Sequence, residues 1–168
     1  MGAADLLDRM PPEEARAALL ECCAATRWVD AMMERRPFGS DRSLLAAAEE
    51  TWRAAEPADL LEAFAGHPRI GDRPAGAAGD RAASWAGAEQ SGVGRSDGAT
   101  RDALAAGNRA YEERFGHVFL ICATGLSGPE MLAELERRLH HSAATELRIA
   151  AAEQAKITRL RLQKLGTP

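Results

Sequence analysis

Apolar positions recur at helical spacing along most of the chain, alanine is abundant and β-branched residues are scarce, so the pattern predicts helix nearly throughout. Pro11-Pro12 followed by Glu13 and Glu14 puts proline and carboxylates into a first turn, where the missing N–H and the helix dipole favour them. That helix is predicted to run to about Cys23. A second, around Trp28, Ala31 and Met32, stops at Pro37. Ser40 or Asp41 caps a third, which carries Leu44, Leu45, Ala48 and Trp52, and Pro57 opens a fourth that ends near Gly66.

Pro68 to Gly79 reads as a loop, Ser84 to Gln90 as a short helix, Gly92 to Gly98 as a turn, and Ala99 to Arg114 as helix again. Then the period changes. His117-Val118-Phe119-Leu120-Ile121-Cys122 is apolar, partly β-branched and bounded by Gly116 and Gly125, the pattern of a short buried extended segment. Ser127-Gly128-Pro129-Glu130 starts a helix that reaches His140. Ser142 starts the last, with Glu146 early and Lys156, Arg159, Arg161 and Lys164 late, the charge order a helix dipole favours. One candidate strand cannot make a sheet, so the expected class is all-α: a single compact multi-helix domain over residues 1–168 with one buried extended segment.

With 168 residues, 46% of them hydrophobic, one domain with a real core is expected. Lys and Arg number 21 against 25 acidic residues, a net charge of -4, and no basic tract alternates with aromatics, so nucleic acid is excluded as a partner. Adjacent Cys22 and Cys23 and the distant Cys122 form neither a disulfide framework nor a metal-binding spacing, which points to reduced thiols and a cytoplasmic protein. No basic-then-apolar leader opens the sequence, and no apolar run approaches the roughly 18 residues a membrane span needs.

Candidate chemistry concentrates at His67-Pro68-Arg69-Ile70-Gly71-Asp72. Pro68 pushes His67 out of helical backbone just as the apolar run of Leu60, Leu61 and Phe64 ends, holding the imidazole at a corner. Gly71 and Gly76 let the backbone turn closely past it. The competing reading is a helix-end histidine bonded to a backbone carbonyl. Taken together, His67-Pro68-x-Ile70-Gly71, Glu89-Gln90, Asn108-x-x-Tyr111-x-x-x-Phe115-Gly116-x-x-Phe119-Leu120-Ile121-Cys122-Ala123 and Lys156-Ile157-Thr158-x-Leu160-Arg161-Leu162 resemble one family. It is the 2-oxo-4-hydroxy-4-carboxy-5-ureidoimidazoline (OHCU) decarboxylases of urate breakdown, and the resemblance runs from about Trp28 to Leu162.

The resemblance implies an all-helical, cofactor-free and metal-free enzyme, usually a homodimer, that decarboxylates OHCU to (S)-allantoin. It places the catalytic roles on His67, Glu89 and Arg161, and substrate binding on Pro68, on Ala86, Gly87, Ala88, Glu89 and Gln90, and on Phe119, Leu120, Ile121, Cys122 and Ala123. There is one departure. Many members have serine where this chain has Ala86, so that hydroxyl's hydrogen bond is missing or comes from Ser84 or Ser91.

Chemically, histidine suits proton delivery because both its protonation states are accessible near neutrality. Glu89 can fix its tautomer or accept bonds from ring and ureido N–H groups; otherwise it is a solvated charge. Gln90 can both donate to and accept from a ureido group, or simply be exposed. Arg161 offers a planar fork to a carboxylate, although Arg159 and Lys164 are equally what a helix end carries. The Phe119–Ala123 stretch would offer main-chain groups and an apolar wall. His140 and His141 read as solvated, His117 as a cap on the preceding helix, and Trp28, Trp52 and Trp85 as core. A zinc site from His67, His117 and Cys122 lacks the usual short spacings. The rival class is a non-catalytic helical binding or regulatory domain of the same shape.

Overall fold

In the computed structural model, residues 1–72 and 80–167 are described, with Asp80 described by its backbone alone. Ten helices follow one another among them: α1 (Ala3–Arg9), α2 (Pro12–Cys22), α3 (Thr26–Glu34), α4 (Asp41–Arg53), α5 (Pro57–Ala65), α6 (Asp80–Glu89), α7 (Ser91–Gly94), α8 (Gly98–Phe115), α9 (Gly128–Arg138) and α10 (Ala143–Leu165). No strand occurs among the described residues, so the fold is all-α as predicted. They divide into two units, one of Met1–Gly66 with Ala155–Pro168 and one of His67–Gln154.

In the first unit, α1 to α5 and the end of α10 bury Leu7, Leu19, Trp28, Met32, Leu44, Phe64 and Leu162. The predicted starts hold physically: the Ser40 hydroxyl accepts from the Ser43 N–H at 3.1 Å, and Glu56 and Asp59 form a reciprocal capping box around Pro57. α1 was not predicted. Seven residues are too few to form a helix on propensity alone. Partners distant in sequence hold it instead: Asp41 Oδ1 accepts from the Ala4 N–H at 2.8 Å, and the Arg36 guanidinium donates to the Leu7, Asp8 and Met10 carbonyls at its C-terminal end.

In the second unit, Ile70, Val93, Leu104, Tyr111, Phe119, Ile121, Ala123, Met131 and Leu135 form one apolar cluster. Asp97 and Ser127 cap α8 and α9 through the Thr100 and Glu130 N–H groups. Gly116, at φ +76°, ends α8 with its N–H on the Glu112 carbonyl, so the predicted cap at His117 is corrected to the residue before it, where the left-handed turn requires glycine. Beyond it, residues 117–123 are neither helix nor strand, with Phe119, Leu120, Ile121 and Ala123 buried as expected.

Four further expectations need correction. The short helix starts at Asp80 rather than Ser84, and the predicted turn after it begins with a helical turn, α7. Of the three tryptophans read as core only Trp28 is buried; Trp52 and Trp85 are half-buried, and Arg81 lies over the Trp85 ring at 5.9 Å, as a residue one helical turn away can. His141 pairs with Glu146 at 3.1 Å instead of being solvated. The predicted loop extends through residues 73–79, Gly76 among them, which lie outside the described residues.

α7 provides an internal contrast for measuring this packing. A Cβ at Gly92 would stand 2.0 Å from the Leu126 carbonyl oxygen, a backbone atom that cannot swing away, whereas a Cβ at Gly94 meets nothing within 4 Å. Gly92→Ala is therefore expected to lower stability by about 1–3 kcal/mol in urea denaturation. Gly94→Ala should be neutral or stabilising by up to ~1 kcal/mol. Equal effects of the two substitutions would contradict the close approach at Gly92.

Candidate active site

The chain leaves α5 through Gly66 and enters the second unit at His67, where His67, Arg69, Ile70 and Gly71 are each tied to a residue distant in sequence. The imidazole Nε2 of His67 lies 2.7 Å from Oε1 of Gln154 on α10. Arg69 meets the Glu112 carboxylate of α8 through two bonds of 2.8 and 2.9 Å, which hold the Arg69 pKa above its usual value. Asn108 Nδ2 donates to the Ile70 carbonyl at 2.9 Å, and the Gly71 N–H donates to Gln90 Oε1 at 2.9 Å. Gly71 has φ +94°, a conformation that disfavours any side chain. His67 is thus held by a side-chain amide from a distant helix.

The second part of the site is the segment after α8. The Cys122 N–H donates to Glu153 Oε2 at 2.7 Å, and Arg138 NH1 donates to the Leu120 carbonyl at 2.8 Å. Glu153 and Gln154 are neighbours on α10. One turn of that helix therefore grips both the His67 ring and the backbone of the Phe119–Ala123 stretch. Gln90, just after α6, ties in the third motif by accepting from the Gly71 N–H.

The other candidates fall out as follows. Glu89 is buried, 8% exposed, so the solvated-charge alternative is corrected. Ala86 is buried beside it, while Gly87 and Ala88 are exposed and Pro68 half-buried. Ser84 and Ser91, considered as substitutes for the missing hydroxyl, are both exposed. Arg161 belongs to the first unit, where it is buried and its NH1 donates to the Glu21 carbonyl at 3.1 Å. Arg159 is exposed and pairs with Glu49 at 2.8 Å. The helix end thus contains one solvated arginine and one that is not. Among the described residues no three His, Cys, Asp or Glu side chains are grouped to hold a metal ion. The His117 Nδ1 lies 3.1 Å from the Val118 carbonyl.

Sequence reasoning missed the residues that support this site: Glu153, Gln154, Arg138 and Glu146. The first two lie three and two residues before the Lys156-Ile157 motif, but nothing in that spacing names their partners. No periodicity joins Arg138 to Glu146, because a helix break lies between them.

The sequence matches the profile of the OHCU decarboxylase family over residues 8–163. The chain belongs to the OHCU decarboxylase family. It is 35% identical over 145 residues to the uric acid degradation bifunctional protein TTL of Arabidopsis thaliana, a match that covers 86% of this chain and 45% of that protein. The family member thus spans less than half the length of that plant relative. It is 33% identical over 127 residues to the OHCU decarboxylase of Haloferax volcanii, covering 76% of this chain and 73% of that one. Among solved structures, an OHCU decarboxylase crystallised in the presence of (S)-allantoin superimposes with a TM-score of 0.77 at 32% identity, covering 89% of this chain and 96% of its own. An (S)-allantoin synthase structure, at 17% identity and a TM-score of 0.71 over 96% of this chain and 53% of its own, shares the fold.

The cysteines report on this arrangement. Burial pushes the Cys23 thiol up to about 12, and Cys22 is also buried, whereas Cys122 is partly accessible beside the candidate site. Iodoacetamide at neutral pH should modify Cys122 first, with Cys22 and Cys23 reacting only on unfolding, because the thiolate is the nucleophile. Peptide mapping that found native-state modification at Cys23 would contradict its placement.

Proposed function

We propose that this chain decarboxylates OHCU to (S)-allantoin in urate degradation, with residues 1–168 acting as one domain and His67 handling the proton. The observation that carries this reading is the double grip of Glu153 and Gln154, which ties His67 to the segment at Cys122 while Gln90 joins the same loop. The substrate bears a carboxylate and a hydroxyl on one ring carbon beside a C=N bond. When the bond to the carboxylate breaks, carbon dioxide leaves and the electron pair forms a double bond to the ureido-bearing carbon, whose C=N nitrogen takes up a proton. The hydroxyl becomes a carbonyl as its proton departs, and the ureido-bearing carbon takes up a proton on one face. The substrate carries its own electron sink, so the reaction calls for no metal or organic cofactor from the protein.

What remains for the protein is orientation and proton transfer. His67, fixed at a corner, exchanges the proton. Glu89, a carboxylate kept from bulk water, accepts from ring or ureido N–H groups and favours the imidazolium. Arg161 holds the substrate carboxylate, and Gln90 donates its NH2 to a ureido oxygen. Pro68, Ala86, Gly87, Ala88 and the Phe119–Ala123 stretch complete the binding surface.

The decisive assay generates OHCU in situ from urate with the preceding enzymes and follows optical activity, since uncatalysed decay gives racemic allantoin. His67→Asn should lose about 10²–10⁴-fold of the accelerated formation of one enantiomer while remaining folded. Glu89→Gln should act in the same direction but add little once His67 is replaced, as groups working as one unit do. Arg161→Ala should lower kcat/KM roughly 10- to 100-fold and Arg159→Ala leave it nearly unchanged. Full activity and unchanged enantiomeric excess in a folded His67→Asn protein would instead favour a non-catalytic binding domain.

The same reading makes the protein a cytoplasmic homodimer that takes a small ureidoimidazoline substrate and no nucleic acid. No helix among the described residues is long and apolar enough to cross a membrane. Light scattering is expected to give twice the 18.0 kDa chain mass. A clean monomer would remove the dimer and leave the chemistry standing.

A further inference from the structure

Behind the candidate substrate segment lies a charged cluster built on a fully buried ion pair. Arg138 and Glu146 are each 0% exposed and form an ion pair, with Arg138 Nε donating to Glu146 Oε1 at 2.5 Å. The Tyr111 hydroxyl donates to the same oxygen at 2.7 Å, and His141 Nδ1 lies 3.1 Å from Oε2. The guanidinium is further enclosed by two aromatic faces, 4.7 Å from the Phe119 ring and 5.9 Å from that of Tyr111. Burying two charges is expensive, and a well-packed apolar pair would fill the same space at no less stability. A guanidinium here does one thing an apolar side chain cannot: its NH1 donates to the Leu120 carbonyl at 2.8 Å.

That bond has a directional consequence. Extended backbone turns the peptide groups of successive residues to opposite edges. Leu120 is held through its carbonyl by Arg138 and Cys122 through its N–H by Glu153, so both anchors take the same edge. The intervening Ile121 N–H and C=O are left to the other edge. Ile121 is buried, and its N–H and C=O face the edge that neither anchor occupies, where they can donate to and accept from a bound molecule.

We propose that Arg138 is a positioning residue for the decarboxylation: by holding the Leu120 carbonyl, it aims the Ile121 donor and acceptor at the substrate's amide edges. This rests on the reading that residues 119–123 bind substrate. Glu146 keeps the guanidinium charged and oriented, and the Phe119 and Tyr111 rings fix its plane. Arg138 does not touch the reacting atoms.

The test compares Arg138→Lys with Leu135→Val, a substitution in the same α9 core that removes packing but no polar bond. A lysine cannot serve Glu146 and Leu120 at once with the geometry of the planar fork. Arg138→Lys should raise KM for OHCU roughly 10-fold with little change in kcat, and the Ile121 amide resonance, which shifts on adding (S)-allantoin to the wild type, should cease to respond. Leu135→Val should lower Tm and leave KM and the Ile121 response in place. If Arg138→Lys does not fold, Arg138→Met with Glu146→Gln removes both charges together and carries the same expectation. An unchanged KM in the folded Arg138 variant, or an equal rise with Leu135→Val, overturns the proposal. So does an Ile121 amide that ignores (S)-allantoin in an active wild type. A wild type in which Ile121 responds to (S)-allantoin, and loses that response on Arg138→Lys, but which does not turn over OHCU, refutes the decarboxylase reading and leaves the positioning role intact.

Discussion

The second unit depends on one buried ion pair. Arg138 and Glu146 lie on opposite sides of the break between α9 and α10, and both are removed from water. Such a pair contributes little net stability when intact, because desolvation offsets the attraction, but removing either partner alone costs about 3–5 kcal/mol. The surroundings supply what makes it tolerable: a tyrosine hydroxyl and a histidine nitrogen on the carboxylate, a main-chain carbonyl and two aromatic faces on the guanidinium. The Tyr111 hydroxyl is correspondingly pushed to a pKa well above the usual phenol range, by burial first and by its bond to Glu146 second. The cluster connects the chain break, the α8 core and the backbone at Leu120 through one carboxylate and one guanidinium.

The candidate site follows the same logic of borrowed support. A loop after a proline and an extended segment without a sheet are the least self-sufficient pieces of an all-helical chain, since neither satisfies its own backbone groups. Here each polar tie reaches a helix: Asn108 and Glu112 on α8, Glu153 and Gln154 on α10, Arg138 on α9. A fourth helix contributes Gln90, just after the end of α6, which closes the loop at Gly71. Function needs an imidazole and a set of main-chain donors in fixed relation, and rigid helices provide that better than loops supporting one another.

Local chemistry accounts for what was legible in the sequence. Prolines at first turns, Ser40 and Ser127 as caps and a helical period through the alanine-rich stretches act within a few residues, so α2 to α5 and α8 to α10 could be placed from the chain alone. The change of period at residues 117–123 marked the extended segment for the same reason. The motifs around His67, Glu89 and Phe119–Ala123 identified the family, because side-chain types at set spacings are themselves sequence information.

Only the tertiary structure decided the rest. α1 exists through Asp41 and Arg36, residues far from it in the chain, and nothing in its own seven residues announces a helix. Arg159 and Arg161 look alike in sequence, yet one meets Glu49 at the surface and the other is buried on the Glu21 carbonyl, a difference set by which face of α10 is packed. The partners of His67, Cys122 and Leu120 were likewise invisible. A hydrogen bond between groups distant in sequence leaves no period behind; it is specified only once packing has brought the helices to their places.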